Sequence, residues 1–580
     1  MTAGGATAAP PAPPPGAARA GFRAPRLDVL LIAWLAAAGV SYEIYRPALR
    51  GEFLSDDVGY LTNNPWVQRL APDDVVAILD PWGGPASYSS NWAPVNLLLH
   101  GLEWKFFGAR TAGYHAVNVG VHALVSVLLA LVFLRAGIPP LAAWLAAGLF
   151  LVHPANVEAV AWISQFKTLA STAFALGALL AHPRRPLLGA ALFVLAVLTK
   201  ATAFFVLPVA AWWAYTSRRN GASAQRLGWL SGWAGLFLLY LTPQFTAFFR
   251  GNLEGATLNA DPLIHLRTLF AIGARYLSMA FTGIGVAPFH QPPPAESITD
   301  PWWIAALVLG TAIGARALVT LRRFSVEGGF WIWAAFAYAP ISQVFPFRYP
   351  MGDRYLYDVL PGLMGALLLA GASGLRRIDA RRAVRGATPF RRATLKGVGC
   401  GAALLLAALF AIRSHAQAAI WQGLLPLTQA AAIAYPDGMN AHLLLARDAA
   451  IANDKATAVA ELRAAADTGF DLFVALPREP VFGALRGDPE FQALVTDLAA
   501  RWIELAKLRG YDSQPELVAW AEAYAIRKEW SEAVERLERA VALGGPIDAL
   551  ARERLVSARK EQAAQRDRAE RPVTGPPASP

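Results

Sequence analysis

Asp56 and Asp57 stand side by side in the stretch Phe53 to Pro65, FLSDDVGYLTNNP, which follows directly on the first long apolar segment. Carboxylates where a chain leaves a membrane are rare unless they pair, line a wet cavity or do chemistry. A carboxylate within hydrogen-bonding reach of a hydroxyl is a general base. Two adjacent carboxylates repel each other, which favours holding one of them protonated or on a metal ion. The plainer alternative for Asp57 is a helix cap or a bond to a loop amide. His153 and Glu158 come next, in HPANVEAVAWISQFKTLAS. They are spaced by about a turn and a half, so that they orient each other or hold an acceptor; a histidine satisfied by backbone is the bland reading of His153. Trp162 and Lys167 lie further along the same stretch and reach the same outer cavity. Lys200 closes an apolar run; a cation there suits a lipid phosphate, although a lone lysine also snorkels without function. Arg354, beside Asp353, offers a fork of donors that binds phosphate, with a local ion pair to Asp353 as its alternative. Arg348 is a further cation close by.

The chain that must position these residues has the composition of a membrane protein. It has 580 residues, 55% hydrophobic and 16% charged, with mean hydropathy +0.36, where soluble domains carry about 25% charged residues. The net charge of +11 does not point to nucleic acid, because the arginines sit in short loops between apolar runs, as topology signals do, and no basic face alternates with exposed aromatics. The single cysteine, Cys400, excludes an intrachain disulfide and a cysteine metal site. No further carboxylates gather near the acidic pair, so no divalent metal and no other cofactor is implied. Residues 1–25 read as a disordered cytoplasmic tail. The apolar run after Arg19, Arg23 and Arg26 has the look of a signal peptide, but it continues to Tyr45 and many spans follow, which favours an uncleaved anchor.

About eleven apolar runs read as spans: 27–47, 114–134, 139–153, 157–181, 186–199, 201–216, 227–248, 301–321, 329–346, 354–373 and 396–414. Several are short, which predicts helices that end inside the protein around a cavity. The loops bearing Arg135, Arg184–Arg185, Arg218–Arg226, Arg322–Arg323 and Arg376–Arg392 then share one side, the cytoplasm, with the N-terminus; the C-terminus lies outside. Leu263 to Val286 is predicted to lie in the interface or to re-enter on the outer side. The loop 48–113 and both signs of charge gather on the outer face.

Past Ser414 the apolar runs stop and helical periodicity begins. Ala521, Tyr524, Ala533, Leu537 and Ala540 have the spacing of a tetratricopeptide unit, and Ala446, Ala449, Ala458, Leu462 and Ala465 repeat it in register. The expected organisation is a transmembrane domain over 26–414, an extracytoplasmic tetratricopeptide-like domain over 415–560 and a disordered tail over 561–580. The fold class is all-α, a polytopic membrane bundle with a helical C-terminal domain.

Several landmarks line up: the acidic pair after the first span, Asn91-Trp92-Ala93-Pro94 with YHAVNVGVHAL behind it, HPANVEAVAWISQFKTLAS, LTK at 198–200 and DRYLY at 353–357. With the repeat-like C-terminus, they resemble the polytopic glycosyltransferases of the C-type fold. Within that group the chain looks most like the transmembrane and tetratricopeptide-repeat O-mannosyltransferase-like proteins and their bacterial relatives. The resemblance covers roughly 26 to 545, and it implies a multi-pass protein of the cell (inner) membrane using a polyprenyl-phosphate-linked, mannose-like sugar on the outer face. The acceptor is a hydroxyl of a protein or an envelope glycan. It implies that Asp56 or Asp57, Asp56 preferred, is the base of an inverting single displacement. His153, Glu158, Trp162, Lys167, Lys200, Arg348, Asp353 and Arg354 would bind substrate, and the repeats would engage proteins. The chain departs from the family pattern at Ala93, where relatives carry arginine, and at Gln165-Phe166-Lys167-Thr168. Those departures motivate a second reading, a non-catalytic membrane scaffold that recruits envelope proteins. A flippase is disfavoured, since no pseudo-repeat relates the halves and the charges crowd one face rather than the midplane.

Overall fold

The computed structural model describes residues 25–219, 225–251, 261–343, 349–385, 392–471, 473–474, 476–545 and 547–570. Every regular element among them is helical, and the chain is a mostly α, membrane-type protein.

Among the described residues six helical stretches are long and apolar enough to cross a bilayer: Leu27–Tyr45, Thr111–Arg135, Ile163–Ala181, Pro301–Arg322, Asp353–Val384 and Lys396–Gln422. A seventh crossing results if Pro140–Leu151 and Pro154–Ala161, bent by 54° at His153, count as one. Only 11% of the apolar stretch of Leu27–Tyr45, Pro301–Arg322 and Lys396–Gln422 is buried in protein, against 67% of Thr111–Arg135. A 19- to 27-residue apolar helix that protein leaves uncovered needs lipid around it. Thr111–Arg135 is instead the axis of the bundle, packed on Leu27–Tyr45, Pro140–Leu151 and Phe166–Ala181.

The expected count of about eleven exceeds this, for reasons visible in the helices. The run 201–216 opens as a 3-10 turn, Ala201–Phe205, before helix Val206–Arg219. The run 329–346 holds a helix of only 13 residues, Val326–Tyr338. Helix Pro186–Thr199 is apolar but short. The run 157–181 is not one helix either. It stops at Ala161, passes through an extended Trp162, makes a 3-10 turn Ile163–Gln165 and resumes as Phe166–Ala181. Leaving the helix there strands carbonyls, and the Asn118 side-chain amide, from the axial helix, donates to those of Val160 and Trp162, both at 3.2 Å. Helix Pro262–Thr282 is not among the six. It buries Ala271, Ala274 and Tyr276 on one side and exposes Leu263, Leu266 and Phe270.

After helix Arg392–Ala418 and the 3-10 turn Ala419–Gln422 a separate core begins. Helices Met439–Ile451 and Lys455–Asp467 pair across a three-residue turn, as do Gln514–Ile526 and Trp530–Leu543. Ala446, Ala458, Ala465, Ala533 and Ala540 are fully buried where the partners meet; a side chain this small lets two helix backbones approach closely. Pro489–Arg509 lies between the pairs and Asp548–Glu570 closes the stack. The last helix extends beyond 560, so the expected disordered tail starts at least ten residues too early. Residues 571–580, and all but the last residue of the expected tail 1–25, lie outside the described residues.

Candidate functional site

The loop leaving the first helix makes a 3-10 turn, Ala48–Arg50, and then threads a narrow gap at Gly51. A Cβ there would stand 2.5 Å from the carbonyl oxygen of Trp421 and 2.9 Å from that of Ala48, so no larger residue fits. Ser55 is left-handed, with φ +49°. Strain of that kind at a non-glycine residue persists where the surroundings hold it, commonly at functional sites.

Ser55 turns the acidic pair so that its two members part. Asp57 is buried, and its carboxylate accepts from the Leu54 amide (2.8 Å) and from the Ser164 amide (2.7 Å). Burial pushes its pKa up to about 7 against the pull of those bonds. Trp162 Nε1 donates to the Leu54 carbonyl at 3.1 Å, a second tie between this loop and the turn at 162–165. Asp57 is thus held by backbone and acts as a staple. Asp56 keeps 46% of its side chain exposed, 3.9 Å from Lys167 Nζ. The lysine stands 4.3 Å above the ring of Tyr60, which lies on the π-helical turn Val58–Thr62.

Behind Lys167 sits an ion pair that adjacency in sequence does not show. Arg354 bonds Glu158 twice, through its backbone N–H (2.8 Å) and through Nη1. Its guanidinium lies over the rings of Trp162 (5.2 Å) and Tyr355 (4.5 Å). Asp353 turns away from its neighbour and accepts from His290 Nε2 at 2.7 Å, so the local Asp353–Arg354 pair, the alternative to a phosphate role for Arg354, is not formed; the pairs are Asp353–His290 and Glu158–Arg354. Lys200 Nζ donates to Thr168 Oγ1 at 2.9 Å and feels the charges of Asp358, Lys167, Arg354 and Glu158. Lys167 in turn feels Asp56 and Arg354, and Arg354 feels Asp56. The loop 54–57, the broken helix through Lys167, Lys200 and the 3-10 turn Asp353–Tyr355 therefore bring the accessible carboxylate of Asp56, the buried carboxylates of Asp57, Glu158 and Asp353, and three cations together.

His153 is not part of this group. Its Nδ1 accepts from the Ala155 amide (3.2 Å) and its Nε2 bonds the Ala280 carbonyl (3.1 Å), so the expected partnership with Glu158 is replaced by backbone bonds that fix the 54° bend. Arg348 lies outside the described residues. On the axial helix Thr111–Arg135, His122 bonds Tyr357 OH (2.8 Å) and the Leu151 carbonyl (3.0 Å), joining three segments. Sequence reasoning passed over Tyr60, Thr168, Asp358 and His290. Tyr60 sits within the acidic stretch itself, and Asp358 follows DRYLY by one residue. Thr168 figures only in a departure from the family pattern, and nothing local marks His290. Among the described residues no three His, Cys, Asp or Glu side chains cluster as metal ligands.

Chemically, the arrangement offers a half-exposed carboxylate able to take a proton from a hydroxyl, beside ammonium and guanidinium groups able to receive an anion.

No protein-family model matches the chain, and neither does any solved structure. Curated proteins do. Protein O-mannosyl-transferase F38B6.6 of Caenorhabditis elegans is 30% identical over 355 residues, 56% of this chain and 49% of that protein. Protein O-mannosyl-transferase TMTC1 of Mus musculus is 38% identical over 159 residues, 26% of this chain and 16% of the relative. Protein O-mannosyl-transferase TMTC3 of Homo sapiens is 29% identical over 149 residues, 25% and 16%. The chain spans about half the length of the first of these relatives and less of the others. It is a homologue of proteins named as O-mannosyl-transferases, as the motifs implied.

Proposed function

We propose that this homologue of the protein O-mannosyl-transferases is a membrane glycosyltransferase that moves a mannose-like sugar from a polyprenyl phosphate to a hydroxyl of a protein or an envelope glycan. The observation that carries the reading is the half-exposed carboxylate of Asp56 beside Lys167, with Arg354 and Lys200 within electrostatic reach. Asp56 takes the proton as the acceptor oxygen forms its bond to the anomeric carbon. The bond from that carbon to the phosphate oxygen breaks, and the polyprenyl phosphate leaves with the electron pair onto the cations. One displacement with one base inverts the anomeric centre. Lys167 and Arg354 stabilise the charge that builds on the phosphate, and Glu158 holds the guanidinium in place. The reaction runs on the outer face, with the donor's chain in the bilayer and the C-terminal helices facing the acceptor.

The test is turnover of labelled polyprenyl-phosphate mannose by the full chain in lipid nanodiscs. Asp56→Asn is expected to lower turnover by roughly 10²- to 10⁴-fold, the range for a lost general base, and Arg354→Gln by roughly 10²-fold or more. Turnover unchanged in Asp56→Asn overturns the base assignment. A wild-type chain inert toward every donor favours the scaffold reading instead.

A further inference from the structure

Between helix Pro262–Thr282 and helix Pro301–Arg322 the chain runs without a regular element from Gly283 to Asp300, through Phe-His-Gln-Pro-Pro-Pro at 289–294. Loops lie on surfaces because buried irregular backbone strands its polar groups. This loop nonetheless buries several residues, among them Val286, Ala287, Ala295 and the imidazole of His290, only 1% exposed; His290 follows Phe289, which is held left-handed at φ +50°. The three prolines after Gln291 stiffen the exit.

Both nitrogens of His290 are used. Nε2 lies 2.7 Å from Asp353 Oδ1, and Nδ1 lies 2.6 Å from the hydroxyl of Tyr435. A carboxylate only accepts, so Nε2 donates to it and Nδ1 is left to accept from the tyrosine O–H. The carboxylate so gripped belongs to the residue immediately before Arg354. On the other side of Asp353, the Gly352 amide donates to the Tyr276 hydroxyl at 3.0 Å. The short turn that presents the arginine is therefore held at two successive residues by side chains that do not touch the arginine itself.

Gln291 continues the tie into the C-terminal module. Its Oε1 accepts from the amide of Met439, the first residue of helix Met439–Ile451, at 2.8 Å. Its Nε2 donates to the carbonyl of Thr468, just past the end of helix Lys455–Asp467, at 3.2 Å. One side chain thus satisfies a free amide at the start of the first helix pair and a free carbonyl at its end. Gly438 leaves room for it, since a Cβ there would stand 2.7 Å from Gln291 Oε1. Tyr435, the hydroxyl donor to His290, closes the helix just before that pair.

We propose that His290 is a positioning residue for Arg354, and that through Tyr435 and Gln291 the seating of the C-terminal helical module sets the arginine in the site. The proposal rests on the reading that Arg354 receives the donor phosphate. The dipeptide 290–291 is the joint: one residue grips the turn that carries the arginine, the other grips the module. A module that is unseated breaks the Tyr435–His290 and Gln291–Met439 contacts together and leaves His290 to hold Asp353 alone. Completeness of the site is thereby linked to the C-terminal helical module.

The experiment measures kcat and KM for polyprenyl-phosphate mannose in the full-length protein, with hydrogen exchange of the Gly352–Tyr355 amides read in parallel. His290→Ala is expected to lower donor kcat/KM by roughly 10- to 100-fold, because a misplacement near 1 Å has effects of about that size, and to speed exchange at those amides. His290→Gln, which retains a donor toward Asp353, recovers most of both. Tyr435→Phe and Gln291→Ala give smaller changes in the same direction, and they keep the test open if His290→Ala fails to fold. In an Arg354→Gln background the His290 and Tyr435 substitutions have no further effect on donor kcat/KM, since groups acting through one residue are not additive. If the losses multiply in that background, or if donor kcat/KM and exchange are unchanged in all four variants, the proposal is overturned. If Arg354→Gln alone leaves donor kinetics intact, the phosphate reading fails instead, while faster exchange in His290→Ala still supports the positioning.

Discussion

Asp57 gives each carboxylate oxygen to a backbone amide from a different part of the chain, and that use explains why it sits beside a far more exposed neighbour. Its pKa is raised from an ordinary 3.8 to about 7, chiefly by burial. The folded state therefore holds a proton that the unfolded chain releases between those values. The sign follows: this group's contribution is fullest below about pH 4 and is lost as pH rises toward 7. Asp57→Asn is expected to flatten that slope in thermal unfolding measured from pH 5 to 8. It also turns an NH₂ toward one of the two amides, at a cost of about 1–3 kcal/mol for an unsatisfied buried group. An unchanged slope would remove Asp57 as its source. Gly352 makes a second residue-level case. A Cβ there would lie 2.8 Å from Arg354 Nη1 and 3.2 Å from its Cζ. Gly352→Ala is expected to push the guanidinium off Glu158 and raise the KM for donor while the protein remains folded. A KM equal to wild type would mean that the arginine's position does not govern donor binding.

At the scale of elements, the break at Trp162 does the positioning. A continuous helix through 157–181 would carry the Ser164 amide round the helix axis and bury it in the ladder, away from Asp57. The sequence does not announce this break, because no glycine or proline lies between Pro154 and Gly177, well past it, and the apolar pattern runs on. What allows it is Asn118, over 40 residues earlier, whose amide takes up the freed carbonyls. The ion pair was hidden for the same reason. Asp353 is next to Arg354 in sequence, yet the carboxylate that binds the guanidinium is Glu158, 196 residues away. Charges of opposite sign near the ends of apolar runs were legible as a group; which of them pair was not, because pairing is decided by helix packing. Asn118→Ala is expected to destabilise the protein by about 1–3 kcal/mol and to lower sugar transfer more than a cavity elsewhere in the axial helix does. Calorimetry with turnover on the same samples checks it, and full activity in a destabilised variant would separate the break from the chemistry.

For the whole molecule, composition revealed a helical membrane protein and the loss of apolar runs near 414 marked the second core, while about eleven apolar runs stand against six or seven helices that are long and apolar enough to cross among the described residues. Several contacts fix which parts share a side. Ser87 Oγ bonds Glu516 on the C-terminal helices, and the Glu52 amide bonds the Gln422 carbonyl, so the loop 48–107 and the module lie on one end of the bundle. Helix Leu356–Val384 starts at that end beside Arg354, and its 29 residues extend about 43 Å, more than the roughly 30 Å hydrocarbon core of a bilayer. Its far end, with Arg376, Arg377, Arg381 and Arg382, therefore lies at the opposite end of the bundle, which the positive-inside rule makes the expected cytoplasmic side. Cys400 is the sole cysteine, so a Cys400→Ala background makes every introduced thiol diagnostic. Asp73→Cys in the loop and Ala452→Cys in the module, both exposed positions, are expected to react with an impermeant maleimide on intact cells. Ala380→Cys is expected to react only after the membrane is opened. Labelling of Asp73→Cys and Ala452→Cys from opposite sides would contradict the fold. Labelling of both from the cytoplasm would invert the orientation and put the carboxylate of Asp56 out of reach of any outer acceptor.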